Sequence, residues 1–192
     1  MATQPNHYIS PEEYLDIERH AVTRSEYFHG VMYAMAGGSP QHNRLVSNLN
    51  ALLWVQTRGK GCFTMSSDMR IKVPETGFYT YADVSVVCGN GEYESGDVLL
   101  NPTLVIEVLY PSTAYHDRGF KLQNYQRIAS LKYYMLVSQE RMLIDTYSRR
   151  GDEWTHDVAG LPHERILLPE IGCELLMSDV YEGLTFSGQP AT

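Results

Sequence analysis

Two carboxylates stand where the chain is otherwise apolar. Asp83 interrupts a run, 79–88, whose second half contains Val84, Val86, Val87 and Cys88, and Glu107 interrupts the apolar run from Thr103 to Leu109. Continuous β-branched runs of this kind mark central strands covered on both faces. An ionised acid buried alone in such a strand costs several kcal/mol or keeps its proton. If the two strands pair antiparallel with Asp83 opposite Glu107, their midpoint is Ser95, inside the turn-like Glu94-Ser95-Gly96-Asp97. Directly opposed residues hold their Cβ atoms roughly 4.5–5.5 Å apart. Two carboxylates at that spacing repel unless a proton or cation joins them, and a hard divalent ion with oxygen ligands is the usual remedy. The alternative is that an arginine or backbone amides satisfy one acid while the other lies at a strand end.

A lysine belongs to the same constellation. In the helix expected after Ser112, Lys121, Leu122, Tyr125, Ile128 and Ala129 fall on one face, so Lys121 points toward the sheet. An inward lysine there can meet a metal-bound phosphate. An i, i+4 salt bridge with Asp117, worth roughly 0.3–0.5 kcal/mol, is the plainer use of the same residue.

The elements that must carry these residues can be read from caps and periodicity. Ser10-Pro11-Glu12-Glu13 is a helix start with a capping box, predicting a helix to about His20. Ser25 to Ala36 predicts a hairpin turning at His29-Gly30. Ser39-Pro40 opens a second helix with Leu45, Leu49, Leu52 and Leu53 on one stripe and Gly59 beyond its end. His42 heads that stripe and is expected to point inward or to the edge of a cleft. Strands are expected at 62–66, 69–73, 78–88 and 103–109, a helix at 112–130, and strands at 133–138 and 142–148. From Asp152 onward a strand, a connection and a short terminal segment follow. This order predicts an α/β (α+β) fold, a mixed β-sheet flanked by helices, in one domain spanning 1–192.

Composition narrows the function classes. No apolar run reaches the ~20 residues that span a bilayer. The acidic first twenty residues lack the basic start and apolar stretch of a signal peptide, so a cytoplasmic location with no membrane partner is expected. Cys62, Cys88 and Cys173 form no CxxC and are read as three small buried hydrophobes, with neither a disulfide framework nor a zinc site. The net charge of -8 opposes a surface coated in phosphate-binding residues, yet Arg118, Lys121, Arg127, Lys132, Arg149 and Arg150 crowd the stretch 118–150. That stretch is either an anion-facing surface or a solvated helix face.

Larger motifs now fall into place. Tyr81-Ala82-Asp83-Val84-Ser85-Val86-Val87, then Pro102 to Thr113 with Glu107 at its centre, then Asp117-Arg118-Gly119-Phe120-Lys121 and Tyr125, resemble the Uma family of restriction-endonuclease-like proteins, within the PD-(D/E)XK nuclease superfamily. Glu26-Tyr27-Phe28-His29-Gly30, Ser39-Pro40-Gln41-His42 and Tyr133-Tyr134-Met135-Leu136-Val137 fit the same pattern, so the likeness covers nearly the whole chain. The resemblance implies a restriction-endonuclease-like mixed sheet with an N-terminal helix and hairpin extension. It implies a Mg²⁺ site, open to Mn²⁺, built from Asp83, Glu107 and the carbonyl of Val108. Lys121 stands in for the superfamily lysine, with Glu26 and His42 as accessory residues. The chain departs from the family where Leu109 occupies the usual lysine position, where Ala82 replaces a proline, and at Tyr110, Ser138 and Phe28-His29-Gly30.

The leading expectation is a Mg-dependent endonuclease that hydrolyses phosphodiester bonds of DNA, acting as a homodimer by analogy with small duplex-cutting nucleases. Its rival is a nuclease fold that binds nucleic acid or protein without cutting. A metal-free structural protein is the third possibility.

Overall fold

The computed structural model describes residues 8–35 and 37–186. Helix α1 (Pro11–His20) opens on the expected capping box: Ser10 Oγ accepts from the Glu13 amide at 3.2 Å, and the Glu13 carboxylate accepts from the Ser10 amide at 3.3 Å. Strands β1 (Ser25–Phe28) and β2 (Val31–Ala34) form the expected hairpin. His29 and Gly30 both take positive φ, 47° and 85°, which gives a two-residue turn the twist that suits a hairpin. Ala36, the expected end of the hairpin, lies outside the described residues. Helix α2 (Pro40–Thr57), capped by Ser39, buries Leu45, Leu49 and Leu53. Full burial of each such leucine is worth roughly 1.5–3 kcal/mol.

The remaining elements are β3 (Cys62–Ser66), β4 (Arg70–Val73), β5 (Phe78–Tyr81), β6 (Val84–Cys88), β7 (Tyr93–Glu94), β8 (Val98–Leu99) and β9 (Leu104–Leu109). A helical crossover follows, α3 (Ala114–His116), a π-helical turn (Asp117–Lys121) and α4 (Leu122–Tyr125). Then come β10 (Tyr133–Ser138), β11 (Ile144–Arg150), β12 (Glu153–Ala159), the hairpin β13 (Arg165–Leu168) and β14 (Cys173–Leu176), and α5 (Met177–Val180).

Two mixed six-stranded sheets result. One runs β12-β11-β10-β9-β6-β3 and the other β2-β1-β5-β4-β8-β7. In the first, β9 pairs parallel with β10 and antiparallel with β6. Its Val84, Val86, Leu104, Ile106 and Val108 pack with α2, β13, β14 and α5, whereas Val87, Val105 and Leu109 pack with Tyr125, Ile128 and the second sheet. Glu107 alternates with Val105 and Leu109, so period-2 geometry places it on the face toward the crossover helix.

Three expectations need correction. The run 78–88 is not one strand: it breaks at Ala82-Asp83, with β5 in one sheet and β6 in the other. The helix expected over 112–130 is shorter and contains a π turn at the DRGFK stretch. Cys62 and Cys88 are directly opposed in the β3–β6 ladder and joined by a disulfide, with Cys173 free and buried. Twenty-six residues of separation vanish once the strands pair, which spacing along the chain could not reveal.

Candidate active site

The observed register sets Val84 opposite Ile106 and Ser85 opposite Val105, so one further step brings Asp83 opposite Glu107, as expected. The ladder stops at Val84, however, and the Asp83 side chain takes over the place of the missing backbone partner. Its Oδ2 accepts from the Val108 amide at 2.7 Å, while Oδ1 lies 3.1 Å from His42 Nε2. His42 reaches this point from the first turn of α2, its own amide donating to Ser39 Oγ. The ring stacks on Tyr110 with centroids 5.3 Å apart. The Nδ1 of the same ring is buried without a hydrogen-bond partner.

Glu107 is 4% exposed and meets Lys121, also 4% exposed. Lys121 Nζ lies 2.8 Å from Glu26 Oε1, 3.1 Å from Glu107 Oε1 and 3.3 Å from Asp117 Oδ1. The i, i+4 pair with Asp117 and the inward contact with the acid strand are therefore both present. The π turn spanning Asp117–Lys121 carries both partners of that pair toward the sheet, and such turns recur at functional sites. Tyr125 OH donates to Glu107 Oε1 at 3.0 Å, so both hydrogen bonds end on the same oxygen.

The second sheet supplies the third acid. Glu26 on β1 accepts from Thr80 Oγ1 at 2.7 Å through Oε1, and its Oε2 lies 3.1 Å from His116 Nε2. His116 stacks on Phe120 one helical turn later. Thr80 and His116 were missed from the sequence. A histidine next to an inward aspartate is a usable signal for His116, but Thr80 becomes visible only when the two sheets meet.

Three acids, Glu107, Glu26 and Asp117, thus surround a single buried ammonium, with Asp83 beside them on the Val108 amide. Burial pushes the Glu107 carboxyl well above the usual carboxylate range, and the neighbouring Asp117, Asp83 and Glu26 charges add to this against the pull of Lys121. Burial opposes the Lys121 charge, but Glu107, Glu26 and Asp117 outweigh it and hold the ammonium on. At Glu26 burial is overcome by Lys121, His116 and Thr80, and the carboxyl falls to about 2.

The Glu26 shift has a sign that can be tested. A carboxyl lowered on folding contributes stability that is fully present above its unfolded value of 4.5 and is lost as pH falls toward about 2. The size is on the order of 3 kcal/mol. Urea unfolding between pH 5 and pH 2.5 is expected to show a steep acid limb in the parent and a flatter one in Glu26→Gln. Equal slopes would remove the assignment.

The cationic stretch does not form one surface. Lys121 is buried, Arg127 pairs with Glu75, and Arg149 donates to the carbonyls of Leu131, Gln126 and Ile128, tying down the end of the crossover. Arg118 Nη1 lies 2.8 Å from Asp145 Oδ2. Most tyrosines lie in the core, Tyr14, Tyr27, Tyr79, Tyr125 and Tyr134 among them.

Oxygen donors from Asp83 and Glu107 suit a hard divalent ion, and Glu107 Oε2 takes no part in the bonds to Lys121 and Tyr125. Among the described residues no three His, Cys, Asp or Glu side chains converge as a ready-made metal cage. No helix among the described residues is long and apolar enough to cross a membrane.

Residues 11–178 match the family model Uma2, described as "Putative restriction endonuclease". The uncharacterised protein slr1290 of Synechocystis sp. is 36% identical over 178 residues, covering 93% of this chain and 94% of its own. A second uncharacterised protein of that organism, sll1609, is 33% identical over 149 residues, covering 76% and 84%. In three dimensions the chain is similar to the crystal structure of a putative nuclease belonging to DUF820 from Anabaena variabilis. The TM-score is 0.72 at 15% identity, with 90% of this chain and 97% of that one covered.

Proposed function

The chain belongs to the Uma2 "Putative restriction endonuclease" family, and from that premise we propose that it is a Mg-dependent endonuclease cutting DNA at the Asp83–Glu107 centre. The single observation that carries this reading is the meeting of Asp83, Glu107 and Lys121 from three separate elements at one strand break. The carboxylates of Asp83 and Glu107 would hold the ion. A strand residue presents its N–H and C=O to the same neighbour, so the Val108 carbonyl, whose amide donates to Asp83, would be the third ligand.

Bound there, Mg²⁺ or Mn²⁺ supplies a nucleophilic water at neutral pH and offsets charge on the phosphate. Everything else falls to the chain. Burial makes the Glu107 carboxylate costly to ionise, and a ligating carboxylate must be deprotonated, so metal affinity is expected to rise with pH. Lys121, kept charged by its acids, faces negative charge that develops on the phosphate oxygens. His42 and the Val108 amide fix the Asp83 carboxylate, and His116 with Thr80 fixes Glu26. Cutting both strands of a duplex calls for two such sites, which the reading assigns to a homodimer.

A second reading has its own observation. Lys121 is already matched by three carboxylates, which suits a fold that binds nucleic acid without cutting it. The two readings part in one experiment. Purified protein with Mg²⁺ or Mn²⁺ is expected to cleave DNA slowly, with EDTA abolishing the products. No metal-dependent cutting across single-stranded, duplex and branched substrates would leave only the binding module.

A further inference from the structure

A cleft of about 400 Å³ opens where β9 and β10 end. These two strands are parallel neighbours joined by the helical crossover, and the crevice outside the carboxyl ends of parallel strands is where open sheets bind ligands. The volume falls within the range of ~300–1,000 Å³ typical of small-molecule sites. Leu109, Tyr110, Pro111 and Leu143 give it apolar and aromatic walls, and Arg118 and Arg141 line it with charge. Glu140 is the acid among its lining residues.

The two arginines differ in how they are held. Arg118 is anchored by Asp145, itself held by His156 at 2.9 Å. A guanidinium has five donors, so this anchor leaves others to face the cleft. Arg141 is exposed, and no ion pair engages it among the described residues. The cleft also adjoins the acid centre. Leu109 lies two residues beyond Glu107 on the same strand, roughly 7 Å away. Tyr110 forms the wall between them, its ring stacked on the His42 that touches Asp83 and its hydroxyl accepting from the Ser39 amide.

We propose that this cleft is a nucleotide subsite, holding one phosphate-bearing nucleotide of the substrate strand next to the cleavage point. It rests on the nuclease reading for its place in catalysis, though not for its chemistry. The phosphate sits between Arg118 and Arg141, where planar guanidiniums bind phosphate oxygens in pairs. The sugar and base lie against Tyr110, Pro111 and Leu143. A cleft of this size admits a single nucleotide out of its stack, so the substrate presents an unpaired or extruded nucleotide.

The test is a titration of the full chain in EDTA with a deoxynucleoside 5′-monophosphate, the matching nucleoside and inorganic phosphate, followed by calorimetry or NMR. The monophosphate is expected to bind more tightly than either fragment. Arg141→Gln should weaken it about tenfold, the scale of one charge-assisted hydrogen bond. Arg127→Gln removes the same charge from an exposed arginine paired with Glu75 and should leave the affinity unchanged. Equal binding of nucleoside and nucleotide, equal binding of phosphate alone, or indifference to Arg141→Gln would each overturn the subsite. Because no metal and no cleavage enter the measurement, the two readings fail separately. A chain that cuts DNA but binds nucleotide without Arg141 loses the subsite and keeps the nuclease. A chain with Arg141-dependent binding that never cuts loses the nuclease and keeps the subsite.

Discussion

Replacing Lys121 with alanine is expected to cost roughly 3–5 kcal/mol of stability, the penalty for stripping a buried ion pair of one partner. Lys121 is nearly inaccessible and is the cation that Glu26, Glu107 and Asp117 share. Without it, three carboxylates face one another in a low-dielectric site, and either protonate or let water in. For a chain of this size each kcal/mol moves the melting temperature by roughly 2–4 °C, so a fall of about 6–20 °C should be seen in calorimetry at neutral pH. Adding Glu107→Gln to Lys121→Ala should restore part of that loss, because one of the orphaned charges is gone. The pair then shows a coupling energy in a double-mutant cycle. A Lys121→Ala protein that melts with the parent would mean the ammonium is not the centre of this cluster. Cleavage should fall as well, but only at temperatures where the variant is folded does that fall speak about the phosphate.

Asp83→Asn is the opposite kind of change, with little effect on the fold and a large one on the reaction. Asparagine keeps the size of aspartate, and its carbonyl oxygen can still accept from the Val108 amide that Asp83 Oδ2 now satisfies. The contact with His42 survives with the ring as acceptor or donor, according to tautomer. Stability is expected to stay within about 1 kcal/mol of the parent. Metal binding should be lost and DNA cleavage should drop by on the order of 10²–10³-fold or more, the scale of removing one charge-stabilising group from a transition state. Single-turnover cleavage and Mn²⁺ calorimetry on the same preparations check both halves. Cutting at the parent rate would place the activity elsewhere or in a contaminant.

Much of this site was legible before any folding. A carboxylate in each of two β-branched runs is a local contradiction that burial makes visible, and the 3.6-residue period put Lys121 on the sheet side of its helix. The register that sets Asp83 opposite Glu107 also followed from the chain, although the positive φ of Ser95 and Gly96 turns the separate hairpin β7–β8 of the second sheet. The capping box at Ser10 and the turn at His29-Gly30 are local devices, decided by neighbours within a few residues. Contacts that join distant segments were decided only in three dimensions. The break at Ala82-Asp83 could not be read from an apolar run, because both halves are buried strands and only the choice between two sheets separates them. The same holds for the Cys62–Cys88 bond, for Thr80 and His116 on Glu26, and for the dispersal of the cationic stretch. Periodicity reports which face a residue takes on its own element, since that follows from backbone geometry. Which other element covers that face depends on packing of the whole chain, and that set how many acids Lys121 would meet.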